Sequence, residues 1–174
     1  RLGAIPVNLP GAEILPALQT GAIDATEWIA PYNDLAFGFH KVAKFYYAPG
    51  VHEPGPALGL TINAKAFEEL PADLQAIVQR AAGDEAFRML CEMTVGNAEA
   101  LGVLLDKYNV QLRRFPQEVY DAMLAAGADV AREAAEKDPF TRKVYESWLG
   151  FREKIIELSP LTELGYMALR DAQN

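Results

Sequence analysis

Two glutamates stand where a carboxylate could bind a ligand rather than only face solvent. Glu27 lies near the end of a predicted short strand, Ile23–Trp28, and Glu53 lies in the proline- and glycine-rich turn at residues 52–56. A side chain at the carboxyl end of a parallel strand faces the crevice in which α/β proteins bind ligands. Two carboxylates and a backbone carbonyl form an oxygen cage suited to Na⁺ or Ca²⁺. We therefore predict a cation site at Glu27 and Glu53, against the alternative that both are solvated surface carboxylates.

The sequence lacks the motifs of several other chemistries. It contains no GxGxxG, P-loop, HExxH, GxSxG or EF-hand pattern. The only histidines, His40 and His52, are not at a zinc spacing, and we expect His40 to be a structural residue on or near the surface. We predict that the protein is not an enzyme. The open alternative is a carboxylate-dependent enzyme in which one glutamate acts as a general acid.

Composition limits the partners. The chain has 174 residues, of which 51% are hydrophobic, so a packed fold is expected rather than disorder. The net charge of −8, with no basic cluster, argues against nucleic acid and against an anionic membrane surface. An anionic ligand would therefore need a bound cation or an arginine in its site. The single cysteine, Cys91, lies in a helical apolar pattern and is expected to be buried and inert.

Residues 1–63 show alternating strand and helix patterns. Ile5, Val7 and Leu9 alternate as in a short strand, a short helix follows and stops at Gly21, and Ile23–Trp28 reads as a second strand. We interpret these elements as a βαβ unit with parallel strands. Further along, Pro31 is typical of the first turn of another helix.

Residues 57–62 form a third predicted strand, and Asn63 is a candidate N-cap for the helix that follows it. From residue 64 onward the pattern is mainly helical. Residues 71–107 predict one long helix of roughly 55 Å, whereas a compact fold of this length is only about 40 Å across. Either the helix breaks near Gly83 or Gly96, or it runs along a larger body; we favour the second interpretation.

The remaining chain predicts one edge strand and three helices. The strand covers residues 110–113, and the helices cover residues 116–137, 140–158 and 161–170. The middle helix has a regular apolar stripe that could pack on a partner helix in this chain or in another. Its residues are Phe140, Val144, Trp148, Phe151, Ile155 and Leu158.

Two segments carry a resemblance to a known family. Val-Asn-Leu-Pro-Gly-Ala-Glu-Ile at residues 7–14 and Gly-Ala-Ile-Asp-Ala-Thr-Glu-Trp-Ile-Ala-Pro-Tyr-Asn-Asp at residues 21–34 resemble the binding-lobe signature of the DctP family. These proteins are the extracytoplasmic receptors of TRAP transporters. His-Glu-Pro-Gly at residues 52–55 is similar to the branch that binds 2-oxo acids, lactate and related monocarboxylates through a metal ion.

The resemblance implies a fold and a role. The expected fold is α/β, of the type II periplasmic binding protein kind. Residues 1–63 would contribute a βαβ-containing part of the ligand-binding lobe with a crossover, and residues 64–174 a large helical region with a helix that spans both lobes. The expected role is a periplasmic receptor that hands a small organic acid to the membrane permease subunits. A homodimer through the C-terminal helices is also implied.

The resemblance also assigns the site. Glu27 and Glu53 match positions whose side-chain oxygens bind the cation, and Trp28 matches one that contributes its main-chain carbonyl; all three would border the bound carboxylate. The family's ligand-clamping arginine, and a glutamine that binds the metal, fall before residue 1. Because the chain begins in mid-pattern, we expect it to be the second half of a receptor. The open alternatives are a member that takes another acid without a cation and a structural or sensor module that reuses the fold.

Overall fold

The computed structural model describes residues 1–51, 53, 55 and 59–172. These residues form two compact units. One unit is Gly3–Pro116, and the other combines Arg1–Leu2 with the chain from Gln117 onward. The predicted cation ligands all belong to the first unit.

The first unit contains four helices, two strands and two irregular turns among its described residues. They are α1 (Gly11–Thr20), α2 (Pro31–Phe37), a 3₁₀ turn (Phe39–Lys41), β1 (Phe45–Tyr47), α3 (Ala64–Glu68), α4 (Ala72–Gly102), a π-helical turn (Val103–Lys107) and β2 (Gln111–Arg113).

Three predicted helix boundaries are confirmed. Gly21 ends α1 with a φ of 72°, a left-handed conformation that glycine adopts without steric cost. Pro31 stands at the first position of α2, where its missing N–H has no partner to lose. The Asn63 side chain accepts hydrogen bonds from the N–H groups of Lys65 and Ala66 and so caps α3.

The long helix α4 runs without a break through Gly83 and Gly96, as we favoured, and it covers about 46 Å. Its packing is uneven. Near its end Ala100 is 3% exposed, and Leu104 in the π-helical turn is 2% exposed, whereas Phe87 in the middle is 71% exposed. Cys91 lies in this exposed stretch, so the prediction of a buried thiol was wrong. An apolar stripe indicates which face could be buried, but it does not show that another element covers that face.

β1 and β2 form a two-stranded parallel sheet in which Tyr46 stands opposite Leu112. The predicted strand near residues 110–113 is therefore confirmed. β1 was not predicted, because its Phe-Tyr-Tyr segment runs directly into turn-forming residues. The buried apolar side chains of this unit come from separate elements. They are Ile14, Phe39, Ala100, Leu104 and Val110.

The predicted strands at residues 5–9 and 23–28, and with them the βαβ unit, are not formed. Both segments lie outside helices and strands, and Ile5 is 88% exposed. Alternating side chains favour extended backbone, but a strand also needs a hydrogen-bonded neighbour. Among the described residues, the only such ladder joins β1 and β2. In the third predicted strand, residues 57 and 58 lie outside the described residues, and residues 59–62 form no strand.

The second unit confirms the three C-terminal helices. They are α5 (Gln117–Ala135), α6 (Pro139–Leu158) and α7 (Glu163–Asp171), with a 3₁₀ turn at Ser159–Leu161 between the last two. α5 and α6 pack on each other. The Arg1 guanidinium pairs with the Glu133 carboxylate on α5. Within the described part of the chain, no helix has the length and apolarity needed to cross a bilayer.

Asp138 provides a test of the α6 boundary. Its carboxylate accepts hydrogen bonds from the Thr141 N–H at 2.9 Å and from the Thr141 hydroxyl at 2.7 Å. These bonds lower the pKa of Asp138. A carboxyl group with a lowered folded-state pKa stabilises the fold above its unfolded pKa, and this contribution is lost as the pH falls through the folded value.

We predict that Asp138→Ala lowers the melting temperature at neutral pH, because the cap is lost. The difference from the parent should shrink in acid, once the carboxyl group of the parent is protonated. Thermal unfolding followed by circular dichroism from pH 7 to pH 2 would measure both effects. The mid-helix substitution Glu146→Ala should change the melting temperature little. An Asp138→Ala effect that is independent of pH would contradict the capping role.

Candidate cation and carboxylate site

The Trp28 ring is held between α1 and α2. A Cβ atom added at Gly11 would lie 2.7 Å from Cη2 of the Trp28 ring, so the ring packs directly on the backbone that begins α1. The ring centroid also lies 4.9 Å from that of Phe37, at the end of α2. The indole nitrogen Nε1 is buried, and no described residue accepts its hydrogen. The position of the Glu27–Trp28 segment therefore comes from packing rather than from a strand.

The start of α2 is anchored to α4. The Tyr32 N–H donates to the Asn97 side-chain oxygen at 3.0 Å. The Tyr32 ring lies over Gly96, where an added Cβ would be 3.0 Å from the ring carbon Cγ. Because the N-cap residue Ala30 has no polar side chain, Asn97 supplies from another helix the acceptor that an N-cap residue would normally provide. This contact fixes where the chain turns from the Glu27–Trp28 segment into α2.

A carboxyl–phenol pair lies within the electrostatic influence of Glu27. The Tyr46 hydroxyl on β1 donates to Oδ2 of Asp34 on α2 at 2.5 Å. Burial raises the pKa of Asp34, and the negative charge of Glu27 raises it further. The Tyr46 hydroxyl and the backbone N–H of Ile29 act in the opposite direction. Burial, the bond to Asp34 and the charge of Glu27 all raise the pKa of Tyr46.

The negative charge of Glu27 adds to the larger effect of burial and disfavours the charged form of Asp34. Asp34 and Glu27 interact as like charges, and Oδ1 of Asp34 is buried without a hydrogen-bond partner in the described chain. A bound cation would offset the repulsion between the two carboxylates. Carboxylate and carbonyl oxygens are the ligand atoms that Na⁺ and Ca²⁺ prefer. The residues around Glu27 therefore fit a hard cation.

The surroundings of Glu27 are described more fully than those of Glu53. Glu27 is exposed, and its main-chain carbonyl accepts a hydrogen bond from the Thr26 hydroxyl at 3.1 Å. Glu53 is also exposed, but its neighbours His52 and Pro54 lie outside the described residues. Within the described ranges, no three histidine, cysteine or acidic side chains form a metal-binding group. The assignment of Glu27, Trp28 and Glu53 to one site remains a prediction.

His40 lies apart from the candidate site and has a structural role, as expected. Its ring is half-buried and stacks on Tyr108 with the ring centroids 4.0 Å apart. Burial is the main cause that lowers the His40 pKa, and the positive charges of Lys41 and Lys107 lower it further. The stack joins the 3₁₀ turn to the π-helical end of α4.

Sequence reasoning missed the residues behind Glu27 and Trp28. Asp34 and Tyr46 meet only because α2 and β1 come together, and no spacing in the sequence indicates that contact. Gly11 also belongs to this group, because its lack of a side chain makes room for Trp28. One signal was present in the sequence. Asp34 is an acidic residue in the first turn of α2, the helix that directly follows the candidate ligands Glu27 and Trp28.

The chain belongs to the DctP family. Residues 1–138 match the family model described as bacterial extracellular solute-binding protein, family 7. The expected class, a solute-binding protein rather than an enzyme, is therefore confirmed at the level of the family.

Particular relatives bind small carboxylates. The chain is 40% identical over 166 residues to the monocarboxylate 2-oxoacid-binding periplasmic protein of Nostoc sp. (strain PCC 7120), an alignment that covers 95% of this chain and 45% of that protein. It thus spans about half the length of the relatives it matches.

Solved structures confirm the fold class. A TRAP periplasmic solute-binding protein of Colwellia psychrerythraea, with bound calcium and pyruvate, is 37% identical with a TM-score of 0.89, over 95% of this chain and 51% of that one. A TRAP solute-binding protein of Bordetella bronchiseptica RB50 is 34% identical with a TM-score of 0.88, over 98% of this chain and 51% of that one. That protein is a mixed-occupancy dimer with copurified calcium and picolinate in one site and an apo site.

We predict that Gly11→Ala displaces the Trp28 ring, because the new methyl group would overlap it. The indole should become more exposed, and its fluorescence emission should shift to longer wavelength. The measurement is best made with Trp148→Phe in the background, so that Trp28 is the only tryptophan of this chain. Gly83→Ala is the matched control, since nothing lies within 4 Å of a Cβ added there. An unchanged spectrum in Gly11→Ala would contradict the packing described for Trp28.

Proposed function

We propose that this chain is part of an extracytoplasmic receptor of a TRAP transporter that binds a small carboxylate bridged to a bound cation. The ligand would be a 2-oxo acid, lactate or a similar acid. The observation that carries the proposal is the match of residues 1–138 to the family of bacterial extracellular solute-binding proteins. The calcium and pyruvate in the Colwellia protein, which is 37% identical, support the same chemistry.

Each predicted ligand has a defined role in this proposal. Glu27 and Glu53 would give side-chain oxygens to the cation, and Trp28 would give its main-chain carbonyl. The cation would attract the ligand carboxylate in a protein whose net charge is −8. Calcium is favoured over sodium, because the Colwellia and Bordetella proteins both contain it.

The proposal places the rest of the binding site outside these residues. The chain aligns with about half of each relative, so a ligand-clamping arginine would come from the other half of the receptor. Residues 1–63 would belong to the ligand-binding lobe and its crossover, and residues 64–174 to the helical region. The receptor would work in the periplasm and deliver its ligand to the membrane permease subunits.

Calcium-dependent stabilisation tests the function. In the full-length receptor, a 2-oxo acid such as pyruvate should raise the melting temperature when calcium is present, and a chelator should remove most of the rise. Ligand at 100 times its Kd stabilises the folded state by about 2.7 kcal/mol. Glu27→Gln and Glu53→Gln should each lose most of this response, because each removes a charged ligand of the cation.

The control is Glu68→Gln, an exposed glutamate on α3 that should keep the full response. If both site variants respond to pyruvate and calcium as the parent does, the cation assignment is wrong. If the parent itself shows no stabilisation by any 2-oxo acid, the proposed ligand class is wrong. Turnover of the acid, in place of stoichiometric binding, would favour the enzyme alternative.

We also infer that the receptor forms a homodimer through α6. Its apolar stripe remains uncovered in the described chain: Phe140 is 75% exposed, Phe151 64% and Trp148 51%. A row of large apolar side chains at helical spacing favours contact with a second helix. The dimer of the Bordetella protein supports a second copy of the receptor as the partner of this stripe.

We predict that Phe151→Asp shifts the full-length receptor from dimer to monomer, because it places a charge in the apolar stripe. Analytical ultracentrifugation at several protein concentrations would measure the change. Glu153→Lys, an exposed substitution outside the stripe, should leave the dimer intact. A monomeric parent, or a Phe151→Asp variant that dimerises as tightly as the parent, would contradict the assigned interface.

A further inference from the structure

His40 lies at the junction between the 3₁₀ turn and the end of the long helix. Its ring stacks on the Tyr108 ring with the centroids 4.0 Å apart and the planes 30° apart. Tyr108 directly follows the π-helical turn that continues α4. Nδ1 of His40 is buried, and no described residue forms a hydrogen bond with it. The stack is therefore a direct contact between the two elements, and one of its rings can take up a proton near neutral pH.

The surroundings of the His40 ring disfavour its protonated form. A protonated imidazole carries an N–H on both nitrogens, and the Nδ1–H would be buried without an acceptor in the described part of the chain. The Lys107 ammonium lies 5.3 Å from the centroid of the Tyr108 ring on which His40 stacks. Lys41 is the next residue in the chain, and both lysines repel a positive charge on His40.

Two neighbouring groups would favour a proton on His40. The face of the Tyr108 ring attracts cations, and Asp106 is an exposed acidic residue of the π-helical turn. Burial and the two lysines have the larger effect, because the pKa of His40 is lowered from its ordinary value. The junction is therefore built around a neutral imidazole.

Packed aromatic rings connect this junction to the candidate ligand segment. Phe39, the neighbour of His40 in the 3₁₀ turn, is 6% exposed, and its ring centroid lies 5.8 Å from that of Phe37. The Phe37 ring packs in turn on Trp28, with the centroids 4.9 Å apart. A displacement of the 3₁₀ turn would therefore reach the side chain of a candidate cation ligand through two direct ring contacts.

We propose that the His40–Tyr108 stack is an acid-sensitive contact, which releases the 3₁₀ turn from the end of α4 and loosens the packing of Trp28 when His40 takes up a proton. The protonated ring would leave Tyr108 for solvent, where water accepts both of its N–H groups. Acid would in this way weaken the binding of the cation and its carboxylate ligand. Only this last step rests on the proposed function, because Trp28 is a cation ligand in that proposal.

A thermal unfolding series tests the stack itself. A histidine whose pKa is lower in the folded chain than in the unfolded chain destabilises the fold as the pH falls through its unfolded value of about 6.5. His40→Phe keeps a ring that can stack on Tyr108 and removes the titration. The melting temperature of the full-length receptor should therefore fall more than that of His40→Phe between pH 7.5 and pH 5. A difference between the two proteins that is the same at both pH values would overturn the proposal.

Proton NMR tests the charges around His40 without a change in the stack. The His40 ring signal is identified by its loss in His40→Phe, and in the parent it should titrate below pH 6.5. Lys107→Gln should raise this pKa, because it removes a positive charge beside Tyr108. Lys65→Gln is the matched control, since Lys65 is exposed on α3 and is not one of the lysines that act on His40. A His40 ring that titrates at or above its ordinary pKa would contradict the acid-sensitive contact.

Calcium binding at two pH values tests the connection to Trp28. Calorimetry on the full-length receptor should show that the loss of calcium affinity from pH 7.5 to pH 5.5 is about fivefold larger in the parent than in His40→Phe, the lower end of the usual coupling between two sites. Protonation of the proposed carboxylate ligands weakens binding in both proteins and cancels in this comparison. Equal losses in the two proteins would overturn the connection between the stack and the cation site.

The result for the parent at pH 7.5 keeps this inference separate from the proposed function. A parent receptor that binds no calcium at pH 7.5 would refute the proposed cation site, whereas the melting series and the NMR titration would still decide whether the stack responds to acid. A parent that binds calcium but has a His40 ring with an ordinary pKa would refute the acid-sensitive contact and leave the cation site standing.

Discussion

The first turn of α2 lies so close to α4 that a Cβ atom added at residue 96 would be 3.0 Å from the Tyr32 ring. The Tyr32 ring occupies that space, and the adjacent Asn97 accepts the Tyr32 N–H. A helix cap of this kind contributes about 1 kcal/mol. Its larger effect is geometric, because α2 carries both Asp34 and Phe37. Phe37 packs on Trp28 and Asp34 binds Tyr46, so both of these contacts depend on where α2 lies.

The negative charges near the candidate ligands indicate which kind of ligand this arrangement favours. The protein carries a net charge of −8, yet it gathers Glu27 and a half-buried Asp34 within each other's electrostatic influence. Such a pair is unfavourable unless a donor or a cation compensates it. The Tyr46 hydroxyl compensates one oxygen of Asp34. A cation next to Glu27 would compensate the remaining charge, and the same cation could then attract an anionic ligand.

The helices were predictable because their signals are local. Apolar period, a proline at the first turn, a glycine after the last turn and the Asn63 cap all act within a few residues, and the structure has each of them. The strands failed for the opposite reason. Residues 5–9 have the alternation of a strand, whereas β1 lacks a clear pattern and forms because residues 111–113 lie beside it. Glu27 and Trp28 could likewise be proposed as cation ligands from their own segment. The Asp34–Tyr46 contact could not be predicted, since only tertiary packing brings these two residues together.

Two glycines of α4, Gly83 and Gly96, lie in different surroundings. Glycine in a helix costs about 1 kcal/mol relative to alanine, so the sequence indicated possible breaks at both Gly83 and Gly96. The helix passes through both. Nothing lies within 4 Å of a Cβ added at Gly83, and no contact explains its glycine. At Gly96 the same cost is offset by the Tyr32 ring, which an alanine would have to displace. Gly96 therefore belongs to the architecture of the site, although it lies 68 residues along the chain from Trp28 and is connected to that residue through the docking of α2.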